Sequence, residues 1–427
     1  MAWKIDDDLG KHGLVLTANT IKLPLGKTNN AFQVYKIPLN LLKYNANNGR
    51  IFMEINKLKA DGEINLSDLE YNDVEEYNKE IENLIWNSDV ERNEVTKNDI
   101  ERWTQQTPGV VLSDGTVVDG NRRFTCLRRL HAEHPEDERF SFFDAAILFM
   151  DDGTITKKDL KSYELRVQFG KDEKVGYRPV NFAMSIYNEI KSGEFTIQEV
   201  AEYVKQTPSK ITQIVRTCDL IEEFLEYIKH KNDLSIAEEL NIYWPMEPLA
   251  SYMNSEGSKL TEVEKIRRKH LFFDYLLTVD IALPTQEFRD NLIKKIFKDE
   301  VLWNELATKY EETAGEKVHT AIIQDQVEST PTDFVERVKN FKKSDTAKVI
   351  THDYKTVVDK KNMETLANAP VQISEDVVGR IDQINIEPFI KATSATADEK
   401  LRQVKKNLEK AKASIELLLE QVNRKLN

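Results

Sequence analysis

TPGVVLSDGTVVDGNRRFTCLRRL, residues 107–130, carries two short β-branched runs, 110–112 and 116–118, on either side of Asp114-Gly115. An Asp-Gly pair between such runs predicts a tight hairpin turn. Gly120 then lets the backbone approach a ligand closely, and Asn121-Arg122-Arg123 opens a helix predicted over 123–131, with Phe124, Leu127 and Leu130 on one face. A further apolar run of strand length follows at 145–150. Strand, helix and strand define an α+β unit. The helix start is a natural seat for phosphate, because backbone N–H groups point out of it and the Arg122 and Arg123 forks hold phosphate oxygens by charge-assisted bonds.

Upstream, AFQVYKIPLN at 31–40 reads as a strand entering a turn, and 44–50 as a loop. Between Glu54 and Arg102 stand 15 Asp/Glu against 6 Lys/Arg, with Leu66, Leu69, Tyr77, Ile81, Leu84 and Ile85 at helical spacing. This acidic stretch reads as inserted helices. After Pro179 the pattern turns helical over 180–191, 197–204 and 209–227. Thr196 with Glu199 forms a capping box, and Thr207-Pro208 supplies an N-cap and a first-turn proline. Ala201, Ile211 and Ile214 provide the small residue and apolar anchors that a helix-turn-helix needs, with Lys205 at the turn position often taken by glycine. Ser209, Lys210, Thr212, Gln213 and Arg216 would then face a DNA major groove, Gln213 and Arg216 reading base edges. The alternative is a bihelical unit that touches no DNA, since residues 196–220 hold three basic against three acidic side chains.

These segments together resemble the ParB family of the ParB/sulfiredoxin fold. KIPLNLLKYN at 36–45 is similar to the family's opening strand, TPGVVLSDGTVVDGNRR to its hairpin and phosphate box, and RPVNFAMSIYNEIKSGEFTIQEVAEYV at 178–204 to its approach to the helix-turn-helix. The resemblance covers about residues 31–225. It implies a nucleoside triphosphate with Mg2+ at Thr107, Gly120, Asn121, Arg122 and Arg123, and a DNA partner. Thr107-Pro108 stands where the family often carries Gln-Pro, so the base stays open between CTP and ATP. Glu164 is the nearest counterpart of the family's metal-binding Glu, in Glu164-Leu165-Arg166 with Gln168. Nucleoside triphosphatase activity, a ParB-like nuclease and a non-catalytic adaptor are the competing implications. Sulfiredoxin places its catalytic cysteine where Asn121 stands, which argues against peroxiredoxin repair.

The formal charge of −13 is concentrated in the acidic insertion, leaving basic clusters elsewhere available to DNA. Cys126 and Cys218 lie far apart and read as buried thiols, and the seven histidines show no metal-ligand spacing. No run approaches a membrane span, and the first ten residues lack a secretory pattern, so a cytoplasmic protein is expected. The basic run from Lys265 to His270 reads as a solvated helix face. In the last helix, Leu401, Val404, Leu408, Ala411, Ile415, Leu418 and Val422 form a heptad seam that either pairs two chains into a homodimer or docks on its own domain. The expected organisation is an extension (1–30), a nucleotide-binding domain (31–178, insertion about 56–103), a helix-turn-helix domain (179–245), a helical domain (246–345) and a C-terminal region (346–427).

Overall fold

A computed structural model describes residues 13–25, 30–46, 51, 55, 65–150, 155–169, 179–324, 330–391 and 395–426. Six strands, β1 (Val15–Leu23), β2 (Asn30–Pro38), β3 (Lys43–Tyr44), β4 (Gly109–Leu112), β5 (Thr116–Asp119) and β6 (Phe142–Leu148), form one sheet in the order β1-β2-β6-β4-β5-β3. β6 runs parallel to β4 and β3 parallel to β5, while the other neighbours are antiparallel. The hairpin turns as its Asp-Gly pair requires: Gly115 takes a φ of 83°, and the Asp114 carboxylate accepts from the Thr116 N–H at 3.0 Å. Two expectations are corrected. Residues 15–23, assigned to the N-terminal extension, are an edge strand of the sheet, and Tyr44, assigned to a loop, belongs to β3. Of the rest of that loop, 47–50 lie outside the described residues, as do 1–12 and 26–29 of the extension, 56–64 of the insertion and Arg178.

Successive strand residues point to opposite faces, and the sheet buries both. Ile37, Val111, Val117, Phe143, Ala145 and Ile147 pack on one side with residues of α2 (Val74–Ser88) and α4 (Asn121–Glu133), among them Ile81, Phe124 and Leu127. Val110, Val118, Ala146 and Leu148 pack on the other with Tyr163 of α5 (Lys157–Phe169). The acidic insertion is helical as expected, comprising α1 (Leu66–Asn72), α2 and α3 (Val90–Trp103). Its charge has a local purpose. Arg128 of α4 reaches Glu75 at 2.6 Å and Glu82 at 2.9 Å, Arg129 reaches Glu82 at 3.3 Å, and Arg122 reaches Asp89 at 3.4 Å. The insertion thus neutralises the basic helix that follows the hairpin.

The remainder is helical: α6 (Pro179–Lys191), α7 (Ile197–Tyr203), α8 (Pro208–Tyr227), α9 (Leu234–Glu239), α10 (Tyr243–Asn254), α11 (Glu262–Thr278), α12 (Pro284–Glu287) prolonged as a π-helix over Phe288–Ile296, α13 (Glu300–Tyr310), α14 (Pro331–Phe341), α15 (Asp345–Asp382) and α16 (Ala395–Leu426). Helices up to α14 and the first turns of α15 share one large core that includes Phe272, Leu292, Trp303 and Tyr354. The basic run on α11 is a solvated face except at Arg268. Arg268 is completely buried, donates to Glu264 and Glu300, and lies 4.6 Å from the Trp303 ring centre. Lys265, Arg267 and Lys269 pair with Glu262, Glu311 and Glu223. The expectation fails at Arg268 because the Glu300 carboxylate arrives from another helix, as do those of Glu311 and Glu223 that pair with Arg267 and Lys269 at the surface.

The chain divides into two compact units, Met1–Val358 and Asp359–Asn427. In the second, α16 carries Leu408, Leu418 and Val422 exposed to solvent. No helix among the described residues is long and apolar enough to cross a membrane.

Candidate functional site

The hairpin delivers its second strand to Gly120, whose φ of 100° is left-handed and open to glycine but costly for other residues. Space is tight as well, since a Cβ at Gly120 would fall 2.8 Å from the Phe143 ring. Gly120 is the N-cap of α4, and no side chain caps that helix. Its first N–H groups therefore keep their unspent donor capacity and the positive end of the helix dipole. Asn121 follows, nearly buried: its Nδ2 donates to the Val117 carbonyl at 3.2 Å, while among the described residues no donor reaches Oδ1. A buried acceptor without a donor costs free energy unless something supplies one.

Arg123 folds back over the hairpin. It donates to the Thr107 carbonyl at 2.7 Å and pairs with Asp119 at 3.4 Å. Thr107, Gly120, Asn121 and Arg123 are thereby brought together, while the Arg122 side chain pairs with Asp89 of the insertion. Gln105 holds this arrangement in place and was missed in the sequence. Its amide donates to the carbonyls of Asp144 (2.8 Å) and Thr107 (3.0 Å), and its Oε1 accepts from the Asp144 N–H at 2.9 Å. The side chain thus pairs with β6 like a strand residue, which no local pattern announces.

Glu164 on α5 is buried, accepts from Asn45 Nδ2 at 2.9 Å and lies 3.5 Å from Lys161. Burial raises its pKa above the ordinary carboxylate range. Among the described residues no group of three or more His, Cys, Asp or Glu is arranged to hold a metal ion. The side chain of Gln168 lies outside the described residues. Cys126 and Cys218 are both buried free thiols, and burial pushes the Cys126 thiol up to about 12. Neither is poised as a nucleophile.

The second cluster lies at α7 and α8. The capping box is formed: Thr196 Oγ1 accepts from the Glu199 N–H at 3.2 Å, and Glu199 accepts from the Thr196 N–H at 2.8 Å. Lys205 adopts the left-handed φ of 53° that the short turn needs, and Thr207 caps α8 by accepting from the Lys210 N–H at 3.2 Å. Ala201, Ile211 and Ile214 are buried as anchors. The five candidate DNA residues divide. Ser209, Thr212 and Arg216 share a face of α8 with some solvent exposure, whereas Lys210 and Gln213 turn toward α10. There Lys210 pairs with the Glu247 carboxylate, and Gln213 Nε2 donates to the Glu247 carbonyl at 2.7 Å.

No family model matches the sequence. No curated protein matches it either. Among solved structures, the C-terminally truncated chromosome-partitioning protein ParB from Caulobacter crescentus, complexed to the centromeric parS site, is similar at 11% identity over 48% of this chain and 88% of that chain, with a TM-score of 0.28. The two clusters are therefore read from their own geometry.

Proposed function

We propose that this chain is a nucleotide-dependent DNA-binding protein, taking the phosphates of CTP or ATP at the start of α4 and DNA on α8. The uncapped start of α4, beside the buried Oδ1 of Asn121 that no donor among the described residues reaches, carries the reading. Phosphate oxygens accept from the open N–H groups and from Arg122 and Arg123, and a ligand hydroxyl or bound water supplies a donor to that Oδ1. Mg2+ would arrive with the nucleotide, because it is commonly held by substrate phosphates and only one or two carboxylates, with Glu164 as the protein's candidate. DNA would meet the helix-turn-helix formed by α7 and α8, with Ser209, Thr212 and Arg216 on the accessible face.

The test is thermal unfolding with CTP, ATP, GTP and UTP, each with and without Mg2+. A nucleotide at about 100 times its Kd stabilises the native state by about 2.7 kcal/mol. Arg122→Ala and Arg123→Ala should each weaken binding by roughly 1.5–3 kcal/mol, the worth of a charge-assisted contact. Titrations unchanged in both variants would remove the site. Metal-dependent nicking of DNA would point instead to a nuclease, and neither nucleotide nor DNA binding to an adaptor.

The seam on α16 pairs two chains in this reading. Leu408, Leu418 and Val422 lie exposed along α16, an apolar stripe that needs cover, and the stems of Lys400, Lys405 and Lys412 flank it. Light scattering should give a dimer for the full chain and a monomer after truncation near Thr396. A full-length monomer at micromolar concentration would rule the pairing out.

A further inference from the structure

We infer that Glu247 is an intramolecular competitor for DNA, occupying Lys210 and Gln213 on α8 until a duplex displaces it. This inference rests on α8 being the DNA-contacting helix. Of the five side chains that the sequence marks for DNA, two are held by one residue of α10, Lys210 through the Glu247 carboxylate and Gln213 through the Glu247 carbonyl. A carboxylate offers an ammonium the same charge-assisted contact as a phosphate oxygen, and a backbone carbonyl offers an amide donor what a base-edge acceptor offers. Glu247 thus presents both kinds of group that DNA would present.

The surrounding packing decides how the competitor is released. Met246, Leu249 and Ala250 of α10 are buried in the helical core, so α10 stays in place and the exchange takes place at the side chains. Both partners are accessible for that exchange, since the Lys210 side chain is 43% exposed and that of Glu247 25%. A groove of about 650 Å³ adjoins the pair, lined also by Trp244, Ser251 and Arg289, which leaves room for the side chains to rearrange. Ser209, Thr212 and Arg216 are the first contacts, and a phosphate correctly placed by them then draws Lys210 away from Glu247. The pair therefore sets a threshold against weak, incidental binding.

The experiment measures duplex DNA binding by the full chain across a salt series for wild type, Glu247→Gln, Lys210→Ala and the double variant. Glu247→Gln should bind about tenfold tighter with a similar dependence of log K on log salt, because Lys210 meets a phosphate in both complexes and only the competing carboxylate is lost. Lys210→Ala in the Glu247→Gln background should abolish the gain. A wild type that binds DNA while Glu247→Gln matches it in affinity overturns the competitor role alone. So does a gain that survives in the double variant, because loss of any negative charge near DNA would produce it. Failure of every variant to bind at low salt, with or without nucleotide, overturns the DNA reading and this inference with it.

Discussion

Arg268→Ala should lower the stability of the helical region by about 2–5 kcal/mol, the cost of truncating a large, fully buried side chain. The guanidinium is wholly enclosed, with Glu264 and Glu300 as acceptors and the Trp303 ring beside it. Glu264 also accepts from Trp303 Nε1 at 3.1 Å, so α11 is joined to α13 twice, by that bond and by Arg268 donating to Glu300 at 2.8 Å. Alanine removes the charge that balances Glu264 and leaves a cavity against Trp303. Arg268→Met fills the same space without a charge and should recover part of the loss, whereas Glu300→Gln should cost less than about 1 kcal/mol because Glu300 is largely exposed. Urea midpoints of the three variants check the order. An Arg268→Ala protein within 1 kcal/mol of wild type would mean that the pair is not holding the two helices together.

Asp274 should make the same region less stable as pH rises. Its carboxyl is buried and accepts from the Tyr227 hydroxyl at 2.7 Å, while the Tyr310 hydroxyl approaches without completing a hydrogen bond. Burial lifts its pKa from 3.8 to about 7. Below about pH 3 the group is protonated in both folded and unfolded chains and contributes nothing to the pH dependence. Between about 4 and 7 the unfolded chain has released the proton while the folded chain keeps it, so stability falls with rising pH and levels off above 7. At about 1.4 kcal/mol for each tenfold change, the whole fall is about 4 kcal/mol. Asp274→Asn retains an acceptor for Tyr227 and removes the titration. The difference in unfolding free energy between variant and wild type should therefore shift in the variant's favour by several kcal/mol from pH 4 to pH 8. A constant difference would show that Asp274 is ionised throughout.

What could be read from the sequence depended on whether the deciding partner was a near neighbour. Asp114-Gly115 fixed the hairpin, the Thr196 and Thr207 caps marked two helix starts, and Gly120 marked the approach to α4, each within a few residues of its effect. The features that were misread have distant partners. β1 is recognisable as a strand only because β2 pairs with it, and β3 because β5 does. Arg268, in the Lys265 to His270 run, looked solvated because Glu300 lies more than thirty residues on. Lys210 and Gln213 looked available because Glu247, which holds both, is on another helix. The acidity of the insertion was visible, but its use in pairing Arg122, Arg128 and Arg129 was not.

The way α2 meets β3 has a consequence for how the molecule behaves in a crowd. Asn78 Oδ1 accepts from the Tyr44 N–H at 3.1 Å, its Nδ2 donates to the Leu42 carbonyl at 2.8 Å, and the Tyr77 hydroxyl donates to the Tyr44 carbonyl at 2.9 Å. Two side chains thus fill the hydrogen-bonding row that an open edge strand would offer to a strand from another chain. At the opposite border, β1 is irregular between Leu16 and Thr20, which spoils the flat template that strand addition requires. The β3 border is closed to self-recruitment and the β1 border offers only a broken template, so edge-to-edge pairing of the N-terminal sheet is confined to the β1 side.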